Sequence, residues 1–91
     1  MSMKYQVELT NQASRDLRKI RRSDRNTFER ITEALQALSA NPFPAGCVRL
    51  TGYDDFRIRV GGFRIIYSVQ QKVVLVEVLR IAPRGEVYKG L

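Results

Sequence analysis

The chain has no histidine and no tryptophan, a single cysteine and three prolines in 91 residues. Without histidine, Ser–His and Cys–His nucleophilic catalysis and histidine-ligated zinc are excluded. Cys47 has no second cysteine to pair with, which fits a reducing cytoplasm. Lacking an imidazole to activate it, Cys47 reads as a small, partly buried hydrophobe rather than a nucleophile. Carboxylates are sparse as well: nine Asp and Glu, with only Asp54 and Asp55 adjacent. Neighbouring residues in a strand or turn point apart, so no metal site and no cofactor are expected. No apolar run approaches the ~18 residues of a membrane-spanning helix, and no segment has the pattern of a signal peptide.

What is present is positive charge. Sixteen Lys and Arg give a net charge of +7, and the four lysines (Lys4, Lys19, Lys72, Lys89) leave twelve arginines. Such a balance favours polyanionic partners, and the arginine bias suits bidentate recognition of phosphate. The hydrophobic fraction of 44% is that of an ordinary folded protein. The length predicts one domain over 1–91.

Pattern along the chain predicts the order β-α-α-β-β-β-β. Tyr5 to Leu9 alternates as a first strand, and Thr10 or Asn11 can cap a helix carrying Ala13, Leu17 and Ile20 on one side. Ser23 or Asp24 can cap a second helix whose stripe is Phe28, Ile31, Leu35 and Leu38, ended by Asn41-Pro42-Phe43-Pro44. Val48 to Leu50 reads as a short strand and Thr51 to Asp55 as a turn. Val73 to Ile81 is nearly continuous in Val and Leu, which predicts a central strand buried on both sides. The fold class is α+β: an N-terminal strand, a helical hairpin, then a mostly antiparallel four-stranded portion of sheet. Tyr67 falls on the apolar side and reads as core.

The most informative segment runs Phe56-Arg57-Ile58-Arg59-Val60, Gly61-Gly62, Phe63-Arg64-Ile65-Ile66-Tyr67. Two alternating runs around Gly-Gly predict a β-hairpin with a two-residue loop, both glycines at positive φ. That loop pairs Arg59 with Arg64 and puts Arg57 on the same face. Like charges opposite each other weaken a sheet by up to about 1 kcal/mol, so the cluster is best explained by an anion it holds, such as a phosphate backbone.

These features, with the Ala-Ser-Arg-Asp-Leu-Arg-Lys-Ile helix at 13–20, Val78-Leu79-Arg80-Ile81 and the closing Arg84-Gly85-Glu86-Val87-Tyr88, resemble the RelE/ParE superfamily of type II toxin–antitoxin toxins. The resemblance implies one of two activities. RelE-like members cut mRNA in the ribosomal A site by metal-free attack of the 2′-hydroxyl on the adjacent phosphorus. ParE-like members bind DNA gyrase and lack the catalytic set. By resemblance Arg57 and Arg59 stand in place of a Lys-x-Lys pair, Arg64 in place of a strand arginine, and Arg84 and Tyr88 in place of a tail Arg and Tyr. The implied partners are a cognate antitoxin, the ribosome and mRNA, and operator DNA through the antitoxin; no membrane is implied.

Arginine keeps its proton above about pH 12, so Arg57 and Arg59 can clamp a phosphate but not act as a base, which leaves Tyr88 as candidate base. Where some relatives have a histidine before the tail arginine, this chain has Pro83. The basic run Arg15, Arg18, Lys19, Arg21, Arg22 and Arg25 reads either as an RNA-docking surface or as a solvated helical face. Arg80 reads either as half of a structural pair or as part of the same arginine face. A toxin acting mainly by binding its antitoxin is the third reading.

Overall fold

Thr10 joins the first strand to the first helix by satisfying both. Its side chain accepts from the Ala13 amide as an N-cap and donates to the Leu79 carbonyl. The computed structural model describes residues 4–50 and 55–83, and around Thr10 it places β1 (Gln6–Leu9) and α1 (Asn11–Ser23). Asp24, not Ser23, caps α2 (Arg25–Ala40), its carboxylate accepting from the Thr27 amide and hydroxyl. Those two bonds hold the Asp24 carboxyl below the usual carboxylate range. The Ser23 hydroxyl turns back to the carbonyls of Lys19 and Ile20.

Four antiparallel strands follow: β2 (Val48–Arg49), β3 (Asp55–Val60), β4 (Phe63–Gln70) and β5 (Leu75–Pro83). The sheet order is β1-β5-β4-β3-β2, with β1 parallel to β5. The expected α+β class therefore holds, and the N-terminal strand completes a five-stranded mixed sheet. Both helices lie on one face. Ala13 and Ile20 of α1 and Ile31, Leu35 and Leu38 of α2 pack with Ile58, Ile65, Tyr67, Val76, Val78 and Ile81 in one buried cluster. Tyr67 is core as expected, and its hydroxyl donates to the Pro42 carbonyl at 2.8 Å. Burial, then the neighbouring Cys47, pushes the Tyr67 phenol well above its ordinary pKa.

Four local expectations are corrected. Val73 does not start the last strand: Gln71–Val73 forms a 3-10 turn, and Val74 sits in the left-handed region at φ 55 before β5 begins. A β-branched residue there is strained, and its place is held by Val74 N–H donating to Gln71 and by Gln6 N–H donating to Val74. Nor is β5 covered on both sides: Val76, Val78 and Ile81 are buried, while Glu77 is half-buried on the face without helices, where its charge reaches water. In the hairpin only Gly61 takes positive φ (57°), so the turn needs one left-handed residue rather than two. Asp55, assigned to the turn, opens β3, its carbonyl accepting from Leu50 N–H.

Candidate functional site

The helix-free face is where the arginines of the β3–β4 hairpin gather. Arg59 pairs with Arg64 and Arg57 with Ile66, so all three arginines share that face, as their spacing predicted. Beneath them the next strand supplies Ala82, opposite Arg64, and Arg80, opposite Ile66. Ile66 and Ala82 are 3% and 5% exposed, although neither belongs to the main core. The guanidinium stems thus stand on a dry apolar floor.

The charges of the trio have no counter-charge among the described residues. Among the described residues no carboxylate pairs with Arg57, Arg59 or Arg64, and the Nε atoms of Arg57 and Arg64 are buried without a hydrogen-bond partner. Burial first, then the charges of Arg59 and Arg64, pull the Arg57 guanidinium below the ordinary arginine range. An anion seated among them reverses both effects, supplying the missing acceptors and the counter-charge. Beside the trio a recess opens between the 45–46 turn and β3, lined by Ala45, Gly46, Arg57, Ile58 and Arg59.

The opposite end of the same face is acidic. Ser68 lies across from Asp55 on one side and Glu77 on the other, and Glu77 is level with Glu8. The open face is therefore polarised along its strands, carboxylates at one end and guanidiniums toward the Gly61–Gly62 turn.

Other expected residues fall elsewhere. Arg15, Arg18, Lys19, Arg22 and Arg25 are all exposed, but on the helical side, so the structure does not join them to the trio. Arg21 lies over the Phe28 ring, 5.7 Å from its centroid. Of the two readings for Arg80, a structural pair holds: its Nε donates to Asp16 at 3.1 Å, and the same carboxylate oxygen accepts from Ile81 N–H at 2.9 Å. That bond caps the edge of β5 where β1 has ended. The pair spans 64 residues, which no local pattern exposes. Cys47 is partly buried against the core, matching its reading as a hydrophobe. Arg84 and Tyr88 lie outside the described residues. Among the described residues no three metal-ligating side chains cluster, and no helix is long and apolar enough to cross a membrane.

A helical hairpin laid on one side of a five-stranded sheet, with a basic patch on the other, defines a small α+β domain with an anion-seeking face. The chain belongs to the ParE toxin family of type II toxin–antitoxin systems (parDE), whose model matches residues 7–88. It is 31% identical, over 97% of its length and 99% of the relative's, to a Methanocaldococcus jannaschii protein that carries the toxin name RelE1. Among solved structures it is similar to the archaeal RelE–RelB complex of Pyrococcus horikoshii, with 28% identity, a TM-score of 0.76, and coverage of 93% of this chain and 100% of that one. It is also similar to the toxin–antitoxin complex RelBE2 of Mycobacterium tuberculosis, with 25% identity, a TM-score of 0.75, and coverage of 94% and 98%. The chain is thus a toxin of the RelE/ParE superfamily.

Proposed function

We propose that this toxin is a ribosome-dependent endoribonuclease that cuts mRNA in the A site, with Arg57, Arg59 and Arg64 gripping the scissile phosphate. The observation that carries this reading is the set of three guanidiniums, without a carboxylate partner among the described residues, on one open face above Ile66 and Ala82. In the reaction the 2′-hydroxyl loses its proton and attacks the adjacent phosphorus. The P–O5′ bond breaks, leaving a 2′,3′-cyclic phosphate and a 5′-hydroxyl once the leaving oxygen gains a proton. The phosphorane on this path carries more charge than the diester, so fixed guanidiniums stabilise it more than the ground state. The arginines do this without acting as bases. Tyr88 is the base or a stacking surface, and Arg84 steadies the charge or protonates the leaving oxygen.

The proposed partner outside the ribosome is a cognate antitoxin with an acidic or amphipathic segment that covers the basic face and links the toxin to operator DNA. In support of an antitoxin partner, two similar solved structures are a RelE–RelB complex and the toxin–antitoxin complex RelBE2. The proposed setting is the cytoplasm. The basic helical residues Arg15, Arg18, Lys19, Arg22 and Arg25 are proposed to meet ribosomal RNA phosphates from the other side of the toxin.

A second reading, gyrase inhibition by protein contact alone, is favoured by one observation: the matching family model is that of ParE toxins. Toeprinting on translating ribosomes separates the two. A-site cuts are expected; intact mRNA together with trapped, cleaved gyrase–DNA complexes overturns the nuclease reading.

A further inference from the structure

Arg30 lies between Glu29 and Ile31 on α2, outside any run of like charge, so pattern alone gives it no role. The fold brings it to the hairpin tip. A Cβ built on Gly61 would lie 3.3 Å from Nη1 of Arg30 and 3.8 Å from its Cζ. Gly61 therefore serves twice, reversing the chain at φ 57 and leaving the space into which this guanidinium reaches. Arg59 and Arg64 flank that same turn. Arg30 is exposed, and its charge is felt at Asp24 only as the smallest of the influences lowering that carboxyl.

The polarity of the open face adds a direction. A phosphate backbone held at Arg59 and Arg64 meets Glu77 and Glu8 if it continues away from the turn, and like charge repels it there. Continuing over the turn, it meets Arg30. We propose that Arg30 is a further phosphate contact, engaging the backbone where it leaves the open face past Gly61 and Gly62. The proposal rests on the arginine trio being the phosphate site, and it extends that site around the tip toward the cations of the helical hairpin.

The test is the salt dependence of binding to a short fluorescent single strand carrying 2′-O-methyl groups, which keeps every phosphate and removes the attacking hydroxyl. Each lost contact to a single strand lowers the slope of log K against log salt by about 0.7. Arg30→Gln is expected to lower the slope by that amount, and Arg30→Lys to leave it unchanged. Gly61→Asn, which tolerates positive φ but crowds the guanidinium, is expected to lower it without adding to Arg30→Gln. An unchanged slope in Arg30→Gln overturns the proposal. Arg64→Ala run alongside separates the two failures: if it lowers the slope while Arg30→Gln does not, only Arg30 falls. If Arg64→Ala leaves the slope unchanged, the trio itself is not the phosphate site.

Discussion

The two faces of the β3–β4 hairpin are built from alternate residues of one segment, yet they obey opposite rules. On the helix side Phe56, Ile58, Ile65 and Tyr67 meet a complementary surface, and the polar atom buried among them, the Tyr67 hydroxyl, has an acceptor. On the open side Arg57, Arg59 and Arg64 stand together with like charges adjacent, the buried Nε atoms of Arg57 and Arg64 without a partner among the described residues. The first face is arranged for stability. Among the described residues the second is left frustrated, as the proposed phosphate site requires of a surface that a bound anion completes.

Substitutions on the two faces therefore have opposite consequences. Ile65→Ala, at a fully buried position, is expected to destabilise by about 2–5 kcal/mol in urea unfolding. Next comes Tyr67→Phe, which leaves the Pro42 carbonyl unpaired and costs about 1–3 kcal/mol. Its pH dependence has a definite sign. The folded phenol is raised above its unfolded value of 10.0, so its contribution is whole below that pH and is lost as pH rises toward the folded value. Alkaline unfolding curves of wild type should fall more steeply above about pH 10 than those of Tyr67→Phe.

Asp16→Ala tests the seam between α1 and β5. It removes the acceptor shared by Arg80 and Ile81 N–H, and a loss near the low end of about 1–3 kcal/mol is expected because Arg80 is partly exposed. The smallest effect belongs to the open face. Arg64→Gln should leave stability unchanged or raise it by up to about 1 kcal/mol, since it relieves the repulsion from Arg59. A large loss there would erase the contrast between the faces.

The hairpin was legible because its information is local. Period-2 alternation assigns faces, and a Gly-Gly loop sets the register that places Arg59 opposite Arg64. The helical stripes and their caps were legible for the same reason. Contacts between distant segments were not. Nothing near β1 announces that it pairs in parallel with β5, and the Asp16–Arg80 bond depends on that arrangement. Val73 and Val74 have strand propensity but close a turn, because tertiary pairing with β1 fixes where β5 begins. Arg30 escaped notice because its relation to Gly61 exists only after α2 docks beside the hairpin tip.

The central claim is that the guanidiniums of β3 and β4 form one anion cradle whose empty state is electrostatically unfavourable. Binding of a 2′-O-methyl single strand by the combined variant Arg57→Gln, Arg59→Gln, Arg64→Gln tests it most directly, with thermal unfolding measured on the same protein. The account predicts a salt slope lower than wild type by about 2, at about 0.7 for each of three phosphate contacts, and a melting temperature no lower than wild type. An unchanged slope, or a variant that loses its fold, would contradict it.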